Sequence, residues 1–185
     1  MNALDIFVQN YFSSIRSSGL IKANYLISSV FDFSSYFLFL SGFVALLIYL
    51  VRGWKYMILF LSTICAGGVL VYFLKIFFNI SRPADPVAMY FGQSFPSYHA
   101  TMATVFFVLL MYIFDRYFKT LGKILFNTFC VTSILLVVIS RVYLGAHWVS
   151  DVLSGVIFGV VFTYFSITIF MKYVTNVTDG TSVIK

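Results

Sequence analysis

Residues 55–79, KYMILFLSTICAGGVLVYFLKIFFN, decide the fold, because they are apolar along nearly their whole length. Lys55 stands at one end of this stretch and Lys75 near the other. A helix of this length rises about 37 Å at 1.5 Å per residue, which is enough to cross the ~30 Å hydrocarbon core of a bilayer. The segment 66–68, Ala-Gly-Gly, allows a neighbouring helix to approach closely. The stretch therefore predicts a membrane-spanning helix.

The composition of the whole chain excludes a soluble protein. Of its 185 residues, 61% are hydrophobic and 10% are charged, and the mean hydropathy is +0.98. A soluble core needs a polar shell, and this chain has too little polar material to form one. We predict an integral membrane protein.

The net charge of +6 raises the question of a nucleic-acid partner. The sequence has no basic stripe and no zinc-finger spacing, so we expect no such partner. The positive charge instead indicates cytoplasmic loops, together with cations that bind an anionic ligand. Cys65 and Cys130 lie inside apolar runs, where buried packing residues are a better interpretation than a disulfide or a metal site.

Hydrophobic periodicity divides the chain into three regions. In the first, residues 1–31, the segment 1–17 is an amphipathic helix lying in the membrane interface, and the apolar stretch after it is too short to span. Residues 32–172 form an all-α transmembrane bundle, and residues 173–185 form a polar cytoplasmic tail. The five predicted spans are 33–51, 55–79, 97–115, 122–140 and 147–171. A sixth span over 10–31 is the alternative.

The distribution of positive charge predicts the orientation of the bundle. With the N-terminus outside, seven of the twelve Lys and Arg residues fall on the cytoplasmic side, in line with the positive-inside rule. These seven are Arg52, Lys55, Arg116, Lys119, Lys123, Lys172 and Lys185. Lys75, Arg82 and Arg141 then lie at the outer face. Since a cation inside the bilayer costs roughly 2.5–3.5 kcal/mol at the helix centre, three of them on the less positive side indicate a shared ligand.

Lys75 and Arg82 are placed to act together at the end of the second span. They are separated by about 10 Å along an ideal helix and lie on nearly the same face. Pro83 disfavours helix at Arg82, so the helix should end just before that residue.

The start of the third span has the features of an anion-binding site. Pro96 and Ser97 suit the beginning of a helix, and His99 follows within the first turn. Unpaired backbone N–H groups and the helix dipole at such an end favour a bound anion.

Residues 140–151, SRVYLGAHWVSD, complete the predicted site. His147 and Asp151 are four apart, so on a helix they share a face, and Asp151 leans back toward His147. Arg141 lies across a short loop that contains Gly145. Asp151 can fix the tautomer of His147 and leave Nε2 free to attack a phosphorus atom.

Three cations, two histidines and one aspartate at one membrane face indicate phosphoryl transfer. Three cationic side chains can stabilise the phosphoryl oxygens without a metal, and His99 can protonate the departing oxygen and later activate water. Taken singly, each residue has a simpler explanation: a snorkelling lysine, a lipid-binding arginine, a helix cap or a core histidine. The set as a whole favours the shared phosphate ligand.

A metal site is the rival interpretation. His147 and Asp151 could bind zinc, but no third and fourth ligand with suitable spacing is found in the sequence. A two-metal phosphatase needs several carboxylates, and only Asp85 and Asp151 are nearby. We expect neither a metal nor a cofactor.

The same residues resemble the type 2 phosphatidic acid phosphatase superfamily, whose motifs are K-x6-R-P, P-S-G-H and S-R-x5-H-x3-D. The matching segments are KIFFNISRP at 75–83, PSYH at 96–99 and SRVYLGAHWVSD at 140–151. Ten fixed positions match in order and spacing. The resemblance implies a magnesium-independent membrane lipid phosphatase.

The resemblance also implies a role for each matched residue. Lys75, Arg82 and Arg141 would bind the phosphate, with help from Ser97 and nearby backbone N–H groups. His147 would be the nucleophile and form a phosphohistidine, Asp151 would orient it, and His99 would be the acid and base. Tyr98 replaces the usual glycine; it keeps its backbone N–H, while its side chain narrows the pocket or contacts the lipid.

The resemblance leaves the lipid open. Candidate substrates are an isoprenyl diphosphate such as undecaprenyl diphosphate, phosphatidic acid and phosphatidylglycerophosphate. A lipid A phosphatase or a lipid phosphotransferase with the same site is the alternative, and a protein that binds or transports lipid phosphates without hydrolysis comes after these. The expected location is a bacterial inner membrane, with the site facing the periplasm or exterior.

Overall fold

The computed structural model describes residues 2–32 and 35–180, which form helices joined by loops without a strand. The helices are α1 (Ala3–Ser14), α2 (Ser18–Ser29), α3 (Ser35–Arg52), α4 (Trp54–Phe78), α5 (Tyr98–Phe114), α6 (Thr120–Tyr143) and α7 (Val149–Gly180). Five of them, α3 to α7, correspond to the predicted spans. The predicted polar tail is helical as far as Gly180, and its last residues, 181–185, lie outside the described part.

The all-α membrane fold is confirmed. Helices α4, α6 and α7 are long and apolar enough to cross a bilayer, and α3 and α5 are shorter apolar helices. Their outer surfaces carry large exposed apolar side chains, such as Phe39 of α3, Phe77 of α4 and Phe129 of α6. Exposed aromatic rings in this number are unfavourable in water. They therefore face lipid in an integral membrane protein.

Helix α5 lies at the centre of the bundle, where it contacts α4, α6 and α7. Two glycines of α7 permit its close approach to α5. A Cβ at Gly159 would lie 2.7 Å from the Cβ of Thr104, and a Cβ at Gly155 would lie 3.0 Å from the carbonyl oxygen of Ser97. This packing sets the start of α5 beside the start of α7.

Helix α1 lies within the predicted amphipathic segment, but its polar face is turned toward the protein. Asp5 and Gln9 are buried, whereas Leu4 and Phe7 are exposed, Phe7 to 70%. The reason is a contact with α7: the Asp5 carboxylate accepts hydrogen bonds from the backbone N–H and the hydroxyl of Ser150, each 2.9 Å long. The apolar face is left for lipid.

The alternative sixth span over residues 10–31 does not form one helix. Helix α1 ends at Ser14 and α2 begins at Ser18, with Ser17 as the N-cap of α2. Each of these helices has 12 residues, so each is about 18 Å long and too short to cross a bilayer.

The chain between α1 and α2 is bonded to the loop between α4 and α5 and to the end of α6, which lie at the same end of the bundle. Arg16 forms an ion pair with Asp85 at 2.7 Å and donates to the carbonyl oxygen of Tyr143 at 3.2 Å. Gly145 leaves room for this contact. Its φ is +68°, and a Cβ there would lie 2.6 Å from both Arg16 Nη2 and the Asp85 carbonyl oxygen. Asp85 therefore has a structural partner that its sequence context did not reveal.

Candidate active site

The residues predicted for the site all lie at one end of the bundle. Lys75 is in the last turn of α4, His99 in the first turn of α5, Arg141 in the last turn of α6 and Asp151 in the first turn of α7, while Arg82 and His147 lie in the adjoining loops. Alternate helices run in opposite directions, so these ends meet at one face of the membrane.

His147 and Asp151 are buried together, but not on one helix. Helix α7 begins at Val149, so His147 lies in the loop before it. The expectation of a shared helical face was wrong, because the Asp151 carboxylate accepts the backbone N–H of Trp148 at 2.9 Å and the helix starts after that residue. His147 Nδ1 still lies 3.4 Å from Asp151 Oδ2. Asp151 thus fixes the helix start and faces the histidine.

Ser94 joins the pair and was not anticipated from the sequence. Its hydroxyl donates a short hydrogen bond to Asp151 Oδ2 and lies 3.3 Å from His147 Nδ1. All three side chains are buried. The Nδ1 side of the imidazole therefore faces a carboxylate and a hydroxyl.

The other nitrogen of His147 faces a cation. Arg82 Nη1 lies 3.4 Å from His147 Nε2 and donates to the carbonyl oxygen of Ala146 at 2.7 Å. Arg82 also donates to the carbonyl oxygens of Phe91 and Gly92 at 3.1 and 3.0 Å. These bonds hold the guanidinium at the loop that carries His147.

Burial lowers the pKa of His147 well below 6.5, and the charges of Arg141, Arg82 and Lys75 lower it further. The imidazole is therefore neutral at neutral pH. A neutral imidazole keeps one nitrogen lone pair available for chemistry.

Lys75 supports the same loop. Its Nζ donates to the carbonyl oxygens of Gln93 and Ser94 at 2.6 and 3.2 Å. These bonds hold the ammonium group against the backbone of the segment whose Ser94 hydroxyl faces His147.

Arg141 is almost completely buried, with 4% of its surface exposed. It donates a short hydrogen bond to the hydroxyl of Ser28, while its Nε has no acceptor among the described residues. The ring of Tyr90 lies 5.1 Å from Arg141 Cζ and 5.7 Å from Arg82 Cζ. Tyr90 therefore bridges the two guanidinium groups, a role that sequence spacing could not indicate.

His99 also has a carboxylate partner that the sequence did not suggest. Asp32 Oδ1 lies 2.5 Å from His99 Nε2. The neighbouring Phe31 is buried and its ring packs 5.7 Å from that of Phe106, which holds the chain after α2 against α5. Each histidine of the site is thus paired with an aspartate.

Ser97 is the N-cap of α5, as its position predicts: its Oγ accepts the N–H of Ala100 at 3.5 Å. Its own backbone N–H donates to the carbonyl oxygen of Asp151 at 3.1 Å. Tyr98 packs against the hydrophobic core, with its ring 5.9 Å from that of His99. The side chain at this position is therefore part of the packing around His99.

The three cations remain available for an anion. Within residues 2–32 and 35–180, neither Lys75, Arg82 nor Arg141 has a carboxylate oxygen within 4.0 Å. Their hydrogen bonds go to carbonyl and hydroxyl oxygens, so Asp32 and Asp151 act on these charges only from beyond ion-pair distance. In a low-dielectric site, such charge attracts a phosphate strongly.

The described residues contain no group of three or more His, Cys, Asp or Glu side chains arranged to hold a metal ion. Both cysteines are free of disulfides; Cys130 is buried, as its apolar context predicts, and Cys65 lies on an exposed face of α4. The expectation of burial was therefore wrong for Cys65.

The fold and the site together define an integral membrane phosphatase. The model of the PAP2 superfamily matches residues 55–174, more than half of the chain, and the protein belongs to that superfamily. This confirms the resemblance seen in the motifs. The protein is accordingly an enzyme of the lipid phosphatase class.

Two crystal structures resemble the bundle. The first is a transmembrane PAP2-type phosphatidylglycerolphosphate phosphatase from Bacillus subtilis, with a TM-score of 0.82, 26% identity, and coverage of 91% of this chain and 85% of that chain. The second is LpxE from Aquifex aeolicus, with a TM-score of 0.73, 22% identity, and coverage of 90% and 96%. No curated protein sequence matches the chain significantly.

Proposed function

We propose that the protein hydrolyses a phosphomonoester or diphosphate on a membrane lipid, without a metal, through a phosphohistidine at His147. The observation that carries this proposal is the set of three cations, none of which forms an ion pair within the described part of the chain, beside the buried His147–Asp151 pair. Such a site can bind a phosphate and attack it from one side.

Binding of the phosphate is assigned to Lys75, Arg82 and Arg141. Arg82 is already 3.4 Å from His147 Nε2, so a phosphate held by its guanidinium lies next to the attacking nitrogen. The backbone N–H groups at the start of α5, those of Tyr98 and His99, add donors for the phosphoryl oxygens.

In the first step, His147 Nε2 attacks phosphorus, a P–N bond forms and the bond to the lipid oxygen breaks. The proton on Nδ1 is held by Asp151 and Ser94, which stabilise the imidazolium character that develops. His99 gives a proton to the departing oxygen. Since Asp32 contacts Nε2 of His99, the donating atom is Nδ1.

In the second step, water attacks the phosphohistidine. His99, now neutral, accepts a proton from the water, the P–N bond breaks, and inorganic phosphate leaves. Asp32 stabilises the protonated His99 that results. Each histidine is paired with its own aspartate, which supports assigning His147 as the nucleophile and His99 as the acid and base.

The substrate proposed first is phosphatidylglycerophosphate, with phosphatidic acid and undecaprenyl diphosphate as the other candidates. The support is the likeness to the Bacillus subtilis phosphatidylglycerolphosphate phosphatase over most of both chains. We further propose an inner-membrane location with the site facing outward, because the sequence then puts seven of its twelve Lys and Arg residues on the predicted cytoplasmic side.

The direct test is phosphate release by purified protein from these three lipids in the presence of EDTA. The wild type should release phosphate, and His147→Ala should lower the rate by about a thousandfold or more. Ser133→Ala, which removes an exposed hydroxyl bonded only within α6, is the matched control and should keep full activity. Equal rates for wild type and His147→Ala would refute the mechanism, and loss of wild-type activity in EDTA would restore the metal alternative.

The intermediate can be trapped separately. Wild type mixed with phosphatidic acid labelled in its phosphate, then quenched in alkali, should carry the label on protein, because phosphohistidine survives alkali. His147→Ala should carry none. Label that persists in His147→Ala would place the nucleophile elsewhere.

A further inference from the structure

A cavity of about 560 Å³ lies at the end of the bundle opposite to the candidate active site. It is lined by Arg52 at the end of α3, by Tyr56 of α4 and by Arg116 after α5, among other residues. Along α4, Tyr56 and Lys75 are separated by about 28 Å at 1.5 Å per residue. This distance is close to the thickness of the hydrocarbon core, so the cavity opens at the other face of the membrane.

Arg52 is held in a fixed position with an unused donor. Its Cζ lies 4.6 Å from the ring centroid of Tyr56, and its Nε is buried without a hydrogen-bond acceptor among the described residues. A buried N–H of this kind costs free energy unless it is given an acceptor. An acceptor bound in the cavity can reach the N–H at Nε of Arg52.

The charge of the cavity is positive. Within the part of the chain that the structure describes, neither Arg52 nor Arg116 has a carboxylate oxygen within 4.0 Å. Asp115 also lines the cavity, but it forms a short ion pair with Lys123. Two arginine charges therefore remain uncompensated around one space.

The walls combine these charges with neutral donors and apolar surface. Tyr112 and Asn127 offer further hydrogen-bond donors, and Val108, Met111 and Met171 provide apolar contact. The combination suits a group that is anionic at one end and apolar at the other, situated at the depth of the lipid headgroups.

We propose that this cavity binds an anionic phospholipid by its headgroup phosphate, on the leaflet opposite to the candidate active site. Arg52 and Arg116 contact the phosphate oxygens from two sides, since the planar guanidinium matches phosphate geometry. The apolar wall contacts the glycerol and upper acyl chain. The proposal does not depend on which lipid is hydrolysed at the other face.

The test measures lipid retention on the full-length protein by native mass spectrometry, after reconstitution in nanodiscs of phosphatidylcholine with phosphatidylglycerol. Wild type should retain one phosphatidylglycerol molecule more strongly than phosphatidylcholine. Arg52→Gln and Arg116→Gln should each weaken that retention about tenfold, the effect of losing one charge-assisted hydrogen bond. Lys119→Gln removes a charge at the same membrane face without lining the cavity, and should leave retention unchanged.

Three outcomes would overturn the proposal. Equal retention by wild type and by Arg116→Gln, which replaces an exposed side chain, would show that the cavity is not the site. Loss of retention in Arg141→Gln alone would place the lipid in the candidate active site. Displacement of phosphatidylglycerol by millimolar inorganic phosphate would show a site for a free anion rather than a lipid.

Discussion

Ser94 contacts both His147 and Asp151, and it does so from a loop remote in sequence. Its hydroxyl donates to the aspartate and lies 3.3 Å from Nδ1 of the histidine. We propose that it acts as a positioning residue, because these contacts favour the orientation of the imidazole in which Nε2 faces Arg82.

Ser94→Ala should lower kcat about tenfold while leaving KM close to that of the wild type. The loss of a hydrogen bond to a buried carboxylate accounts for this magnitude, and the phosphate-binding cations are unchanged. Steady-state phosphate release from phosphatidic acid measures both constants. A rise in KM with unchanged kcat would assign Ser94 to substrate binding instead.

Asp32→Asn should lower activity most for substrates with a poor leaving group. In the proposed mechanism Asp32 stabilises the protonated His99, and a general acid matters less when the departing oxygen is already acidic. We expect a loss of about a hundredfold with phosphatidic acid and much less with p-nitrophenyl phosphate. The same loss for both substrates would show that Asp32 acts only on folding.

The histidines and cations of the site could be predicted, whereas two of their hydrogen-bond partners could not. His147 and Asp151 lie within one motif, so local spacing pairs them. Ser94 lies 53 residues from His147, and Asp32 lies 67 residues from His99. Contacts of that range depend on how helices pack, which no local pattern of one sequence encodes.

Helix boundaries show where physical rules compete. The apolar runs predicted the spans well, since length and hydropathy alone decide whether a helix can cross a bilayer. The predicted start of α7, at residue 147, lies two residues before the observed start at Val149. The reason is that Asp151 accepts the N–H of Trp148, so the helix begins after that residue. For α1, periodicity correctly predicted two faces, but the partner of the polar face, Ser150, lies far along the chain.

The turn between α6 and α7 can be tested with a matched pair of glycines. Gly145 and Gly92 both have positive φ, +68° and +75°, but only Gly145 is crowded by Arg16 and Asp85. Gly92→Ala should cost about 1–2 kcal/mol from backbone strain alone. Gly145→Ala should lower the melting temperature in detergent further and reduce phosphate release, because the loop carrying His147 must shift. Equal melting temperatures for the two variants would show that the Arg16–Asp85 contact does not restrict the turn.

The orientation of the whole bundle is open to a labelling experiment. In a variant lacking Cys65 and Cys130, a cysteine at Ala88 should react with a membrane-impermeant thiol reagent in intact cells. Ala88 is exposed in the loop at the active-site end, whereas Lys119 lies at the other end, so Lys119→Cys should be protected until the cells are opened. The reverse pattern would place the site at the cytoplasmic face.

The contact between Asp5 and Ser150 joins residues 145 positions apart. During biosynthesis α1 is made before α7, so the Asp5 carboxylate caps its own helix through the N–H of Asn2 before it can accept the bonds from Ser150. The proposed site takes Asp151 from α7, so it cannot assemble before that helix has been made. The lipids around a chain that lacks α7 are therefore not exposed to the proposed chemistry.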